Sequence, residues 1–172
     1  MIGRMNNRII YFLTFKIGDI SLGINVRIVI NILELTNISS GLNTHDFFAG
    51  IVNLQSKPLP VFNLRKKFNI NNTALQDKNC ILVIEIKKNE NNILVGLLVD
   101  EVKEIVEILK SEIVEDDRSN SDYEDLVEGV YNEKKGNLLI INHNQIINDQ
   151  DFETINENKL SKDIQYKKVF IF

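Results

Sequence analysis

Apolar and polar positions change over in short runs along most of the chain, and few stretches hold a helical spacing for long. Residues 9–17, IIYFLTFKI, are rich in β-branched and aromatic types and read as a strand. Gly18-Asp19 is a two-residue hairpin signal, since glycine reaches the positive φ that a type II′ turn needs first, and ISLGI (20–24) returns. The next segment is ambiguous. Val26, Val29, Ile30 and Leu33 fit a helix capped by Asn25, whereas Val26, Ile28, Ile30 and Ile32 fit a strand equally well. Residues 37–45 are polar, contain Gly41 and read as a loop.

Phe47 and Phe48 lead into GIVNL, SKP turns the chain, and LPVFNL returns. NLRKKF looks like one helical turn, and 69–79 is the clearest linker. CILVIEIK (80–87) and ILVGLLVDEV (93–102), joined by the turn KNENN, are almost continuously apolar and should be well buried. KEIVEI suits a strand or a short turn of helix, and 115–125 form an acidic loop. LVEGVY (126–131), the turn EKKGN and LLIIN (138–142) make a last hairpin, and HNQII suggests a short helix.

Many short strands at close spacing with few, small helices predict a mainly β protein built on small barrels. The linker divides the strands into two groups. The expected organisation is an arm (1–8), a first barrel over 9–68, and a second over 80–142 with shared strands, the domain ending near 149. In the tail, 150–172, the polar stretch 150–164 should be partly helical or loose. YKKVFIF should pack on the body as a β-type segment. The chain's only prolines, Pro58 and Pro60, lie two apart on one strand. Their nitrogens therefore leave one edge without donors, a device that resists casual strand pairing and suits a docking edge.

Composition narrows the function. A net charge of -4 argues against a nucleic-acid binder, which usually carries a basic face. A small-barrel nucleic-acid-binding module is the alternative, but it would want basic grooves and stacking aromatics, and there is no tryptophan. Arg65, Lys66 and Lys67 read as a solvated basic face, and Glu101, Glu104 and Glu107 as a solvated acidic stripe. Cys80, the single cysteine, sits in an apolar run as a packing residue. His45 and His143 lie far apart without ligand spacing, and no glycine-rich phosphate loop is present. The expectation is a binding protein with no catalytic residue, metal or cofactor. Lys16 interrupts the apolar start, and no apolar run reaches the roughly 20 residues a membrane span needs, so a soluble, unprocessed chain is expected.

Four segments in order carry a resemblance. FKIGDISLGINV, FFAGIVNLQSKPLPVFNLRKKF, VGLLVDEVKEIV (with Gly96, Val99, Asp100 and Val102) and GNLLIINHNQII resemble the CheW-like domains over roughly residues 9–149. The resemblance implies two intertwined SH3-like β-barrels with a few short helices, and tips residues 26–31 towards a short helix. It also implies a cytoplasmic, non-catalytic adaptor at inner-membrane receptor arrays, linking the chemoreceptor cytoplasmic tip to the regulatory domain of the chemotaxis histidine kinase. It inserts nothing into the membrane.

Three departures from the family pattern stand out. Asn31 stands where a glutamate is usual, Gln55-Ser56 where Arg-Gly is usual, and His45 where proline is common. Acid and base both become amides, which predicts an Asn31–Gln55 hydrogen bond in place of an ion pair. By position, Val29, Asn31 and Ile32 should line one wall of a receptor groove, and Gly96, Val99 and Ile105 the other. The kinase surface is expected on Asn53, Gln55 and the Ser56–Leu59 turn, with Lys57 and Pro58 beside it. The departures suggest a divergent paralogue.

Overall fold

A computed structural model describes residues 7–35, 37–39, 46–71, 78–116 and 123–161. The expected hairpins form. Strands β1 (Ile9–Ile17) and β2 (Ile20–Asn25) meet at Gly18, whose φ of +57° meets the turn's need. Strands β4 (Phe48–Leu54) and β5 (Lys57–Asn63) turn at Gln55-Ser56. Strands β6 (Cys80–Lys88) and β7 (Asn91–Val99) turn at Asn89-Glu90, and β10 (Val127–Glu133) pairs with β11 (Gly136–Ile141). The ambiguous 26–31 stretch is both things in sequence: one 3-10 turn, Val26–Ile28, and then β3, Val29–Glu34. Asn25 caps the turn by accepting from the Arg27 N–H at 3.0 Å. The segment after β7 is a strand, β8 (Glu101–Leu109), followed by a 3-10 turn and the short β9 (Ile113–Val114). Among the described residues α-helices are few: the single turn α1 (Leu64–Lys67) and α2 (Asp149–Ser161).

The strands form two sheets, ordered β8-β1-β2-β11-β10-β9 and β3-β6-β7-β5-β4. This corrects the expected division at the linker. Parallel pairing of β2 with β11, and of β5 with β7, draws each hairpin away from its sequence neighbours. The first sheet thus joins β1 and β2 to strands after residue 100, and the second joins β6 and β7 to β3, β4 and β5. The orders match, β8-β1-β2-β11-β10 against β3-β6-β7-β5-β4: two like units have traded their leading hairpins.

Alternation of side chains along the strands makes three cores. Phe12, Ile108, Leu138 and Ile140 fill the first barrel, with Ile113 and Tyr131 from its far strands. Val52, Leu59, Val61, Ile81, Val83 and Leu98 fill the second, with Leu33 from the opposite edge. Their sequence neighbours, among them Leu13, Leu139, Phe62, Leu82, Ile84 and Leu97, face the other way into one shared core. That shared core, the largest of the three, fuses the barrels. At the β8 bulge opposite Thr14, the Thr14 hydroxyl donates to the Glu104 carbonyl at 2.8 Å and accepts the Glu104 N–H at 3.1 Å, replacing ladder bonds lost there.

Residues 143–147 form turns around Asn142, not the expected helix. Helix α2 begins at Asp149, and its Ile155 is buried in the shared core with Phe152 packed beside it. The first turns of the expected tail therefore belong to the body. Residues 162–172, with YKKVFIF, and His45 lie outside the described residues.

Candidate functional site

The basic triplet after β5 is not a solvated face, because two of its members turn inward. Arg65 grips Asp100 with both arms: Nε donates to Oδ1 and Nη2 to Oδ2, each at 2.5 Å. The same carboxylate accepts the Gly18 N–H at 2.6 Å, and Asn79 donates to the Val99 carbonyl at 3.3 Å. Asp100 therefore ties the β1–β2 turn, α1 and the β7–β8 corner together. Its hydrogen bond is the main cause that raises the Arg65 pKa. Lys67 is buried and pairs with the fully buried Asp151 of α2. Its ammonium also lies 5.3 Å from the Phe47 ring centroid. Burial lowers the lysine's pKa and the aspartate opposes the shift. Only Lys66 is exposed.

Burial likewise pushes the Cys80 thiol up, and the residue packs against the shared core, a poor setting for a nucleophile. Among the described residues no group of three or more histidine, cysteine, aspartate or glutamate side chains could hold a metal ion. Nor is any helix among them long and apolar enough to cross a membrane.

The residues expected to line a groove divide. Val29 and Ile32 pair with Ile84 and Leu82, both shared-core residues, so they continue the shared-core face of the second sheet outward. A bulge between Val29 and Asn31 shifts the alternation and turns Asn31 to the opposite face, across from Val83. There the Asn31 amide oxygen accepts the Ile32 N–H at 2.8 Å. The expected Asn31–Gln55 hydrogen bond is not made. Both side chains are exposed; Asn31 is on β3 and Gln55 in the turn that follows β4, and β3 and β4 stand at opposite ends of the sheet order.

Gly96 and Val99 are buried and cannot form the opposite wall. A Cβ on Gly96 would lie 2.7 Å from Ile81 Cγ2 and 3.1 Å from Val61 Cγ2, inside the second barrel. Val99 is 1% exposed in the shared core. Ile105, by contrast, is 57% exposed and pairs with Leu13 of the shared core. Tyr11, two residues before Leu13, is also exposed.

The β4–β5 hairpin presents Asn53, Gln55, Ser56 and Lys57, with Pro58 half-buried, whereas Leu59 is 1% exposed and fills the second barrel. Gln55 and Ser56 take φ of +50° and +66°, the two left-handed residues of a type I′ turn. Pro58 and Pro60 pair with Asn53 and Ile51 of β4, and β7 joins β5 only from Val61. The proline nitrogens thus point at the stretch where β5 has no second neighbour, as the sequence spacing implies.

One surface escaped the sequence reading. Arg8, just before β1, and Ile9 and Tyr11 at its start line an open cleft of about 430 Å3 with Val26, Arg27 and Ile105. No local motif signals it, because it exists only where β1 outruns β2.

Comparisons with known proteins place this architecture. The model of the CheW-like domain matches residues 11–151. The chain belongs to the CheW-like domain family. It is 28% identical over 102 residues to the chemotaxis protein CheW of Klebsiella aerogenes, covering 59% of each chain. To the chemotaxis protein CheW of Treponema pallidum it is 21% identical over 109 residues, covering 63% of this chain and 64% of the relative. The matched segments thus span about three fifths of those relatives' length. The crystal structure of the scaffolding protein TtCheW from Thermoanaerobacter tengcongensis shares the fold, with a TM-score of 0.74 and 23% identity over 84% of this chain and 96% of that one. Membership also accounts for the CheW-like motif residues Arg65 and Asp100, which meet in the fold.

Proposed function

We propose that this CheW-like chain is a non-catalytic, cytoplasmic adaptor that couples chemoreceptor cytoplasmic tips to the chemotaxis histidine kinase. The family match over residues 11–151 carries the reading. The surfaces agree with it. A receptor helix would lay its apolar face on Val29, Ile32 and Ile105, where the shared-core faces of both sheets run out to solvent. Asn31 would border this seat from the other face of β3. The kinase regulatory domain would take the β4–β5 hairpin through Asn53, Gln55, Ser56, Lys57 and Pro58. Leu59, Gly96 and Val99 support these surfaces from within. Two contacts of modest affinity suffice in an array, where each raises the effective concentration of the other.

A pull-down with a receptor cytoplasmic tip and the kinase regulatory domain tests the reading. Wild-type protein should retain both. Ile32→Glu with Ile105→Glu should lose the tip and keep the kinase domain, since these side chains are 45% and 57% exposed and do not support the fold. Retention of neither partner by the wild type would overturn the adaptor role.

A further inference from the structure

The cleft at the start of β1 adjoins the receptor seat and brings to it a charge that the seat itself lacks. Ile105 belongs to both, and Val26 of the cleft opens the 3-10 turn that leads directly into Val29 of β3. Ile9 and Tyr11 lie on the same face of β1 as Leu13, so they carry the shared-core face of the first sheet onward to the end of the strand. They are 45% and 52% exposed. The apolar ground of the seat therefore continues into the cleft.

Two guanidinium groups line this extension, those of Arg8 and Arg27, and no carboxylate does. Glu107, which the register sets opposite Tyr11, stays out of the lining. Both arginines are exposed, and no ion pair with a described residue holds either side chain. Their backbones are nonetheless fixed. The Arg8 carbonyl accepts the Lys110 N–H at 2.8 Å, and the Asn25 side chain holds the Arg27 N–H at 3.0 Å. Arg65 and Lys67, by contrast, meet carboxylates of their own chain. In a chain of net charge -4, two uncompensated cations beside exposed apolar residues call for acids from outside.

We propose that Arg8 and Arg27 set the specificity of the receptor seat by selecting a helix whose apolar stripe is bordered by glutamate or aspartate. The identity of that helix as a receptor's rests on the adaptor reading. The stripe would cover Tyr11 and Ile105, and the carboxylates would reach the two guanidinium groups, where exclusion of water strengthens each pair. A helix bordered by lysine would bring like charges together at the same place, so the arginines refuse it as well as attract the acidic one. Such a filter separates receptor tips that share an apolar stripe and differ in the charge beside it.

Three amphipathic helical peptides of equal length serve as probes in NMR titrations, each with one leucine stripe bordered by glutamate, glutamine or lysine. The glutamate peptide should bind about tenfold more tightly than the glutamine peptide, and the lysine peptide more weakly still. The Tyr11, Val26 and Ile105 amides should shift, and the gap should narrow in about 0.5 M salt. Arg8→Gln with Arg27→Gln should remove the preference and leave affinity for the glutamine peptide as it was, since both side chains are exposed. Equal affinity for the glutamate and lysine peptides, a preference that survives the double variant, or binding of none of the three would overturn the proposal. Binding of a receptor cytoplasmic tip separates this failure from that of the adaptor role. A tip held equally by the wild type and the double variant keeps the adaptor and overturns selection by the arginines. A tip held about tenfold more weakly by the variant supports both. A tip that the wild type does not hold overturns the adaptor, and with it the receptor as the source of the acidic helix.

Discussion

The ammonium of Lys67, from the single turn of α1, meets the carboxylate of Asp151, from the first turn of α2, with side chains 2% and 0% exposed. The contact fastens the C-terminal helix to the body. Removing one partner leaves the other charge short of compensation in the interior, a loss of about 3–5 kcal/mol. Lys67→Met should therefore lower stability in urea denaturation by about 3 kcal/mol. Combining it with Asp151→Leu should restore most of the loss. A double variant no better than the single would show that the pair is not what holds the helix.

Asp100 predicts a different response. Arg65→Lys keeps the charge and loses the two-armed grip, so about 1–2 kcal/mol should disappear from the unfolding free energy. Because Asp100 also holds the Gly18 amide, Asp100→Asn should speed hydrogen exchange in the β1–β2 turn. An unchanged exchange rate would contradict its linking role.

The β4–β5 turn stores strain at two non-glycine residues with positive φ. Ser56→Gly should raise the melting temperature, corresponding to about 0.5–1 kcal/mol. If the hairpin is the kinase surface, its affinity should change little, since Ser56 is only one member of that surface. Calorimetry and a binding titration on the same variant check both statements.

Gly50 should tolerate no side chain. Its φ is +136°, and a Cβ would lie 2.3 Å from the Ser39 carbonyl oxygen at the bridge that closes the second barrel. Gly50→Ala should cost about 3 kcal/mol or more by chemical denaturation.

Burial raises the Cys80 pKa, so at pH 8 the folded protein holds less thiolate than the unfolded chain. Alkylation by iodoacetamide should be several-fold slower in the native state than in denaturant. The sign for stability follows. The contribution from this raised pKa is fully present below the unfolded thiol pKa and is lost as pH rises through the folded value. Unfolding measured up the alkaline limb should show that loss, and Cys80→Ala should flatten it.

Strands were legible in the sequence because their turns carry local chemistry, such as Gly18-Asp19, and because alternation is local. Partnership was not. Nothing between Ile9 and Asn25 announces that β2 lies beside β11, since parallel pairing is settled by the whole chain. Residues 26–31 defeated periodicity because a 3-10 turn and a strand share them. Of the residues named by motif position, Ile32 and Ile105 are exposed, whereas Asn31 faces away from Val29 and Ile32, because a one-residue bulge reverses the face. Gly96 and Val99 matched the motif for packing reasons, the glycine to admit Ile81 and the valine to fill the shared core. The charges of Arg65 and Lys67 were visible, and their acids were too distant in sequence to be matched to them.

The traded hairpins set an order of events during synthesis. Strand β2 leaves the ribosome early, yet its parallel neighbour β11 begins at residue 136, so the first barrel stays open until nearly all of the domain has emerged. Meanwhile Phe12, Phe15 and Leu22 have no permanent cover. A nascent chain paused before that last hairpin should be a client for chaperones, and neither barrel should survive as a separately expressed fragment.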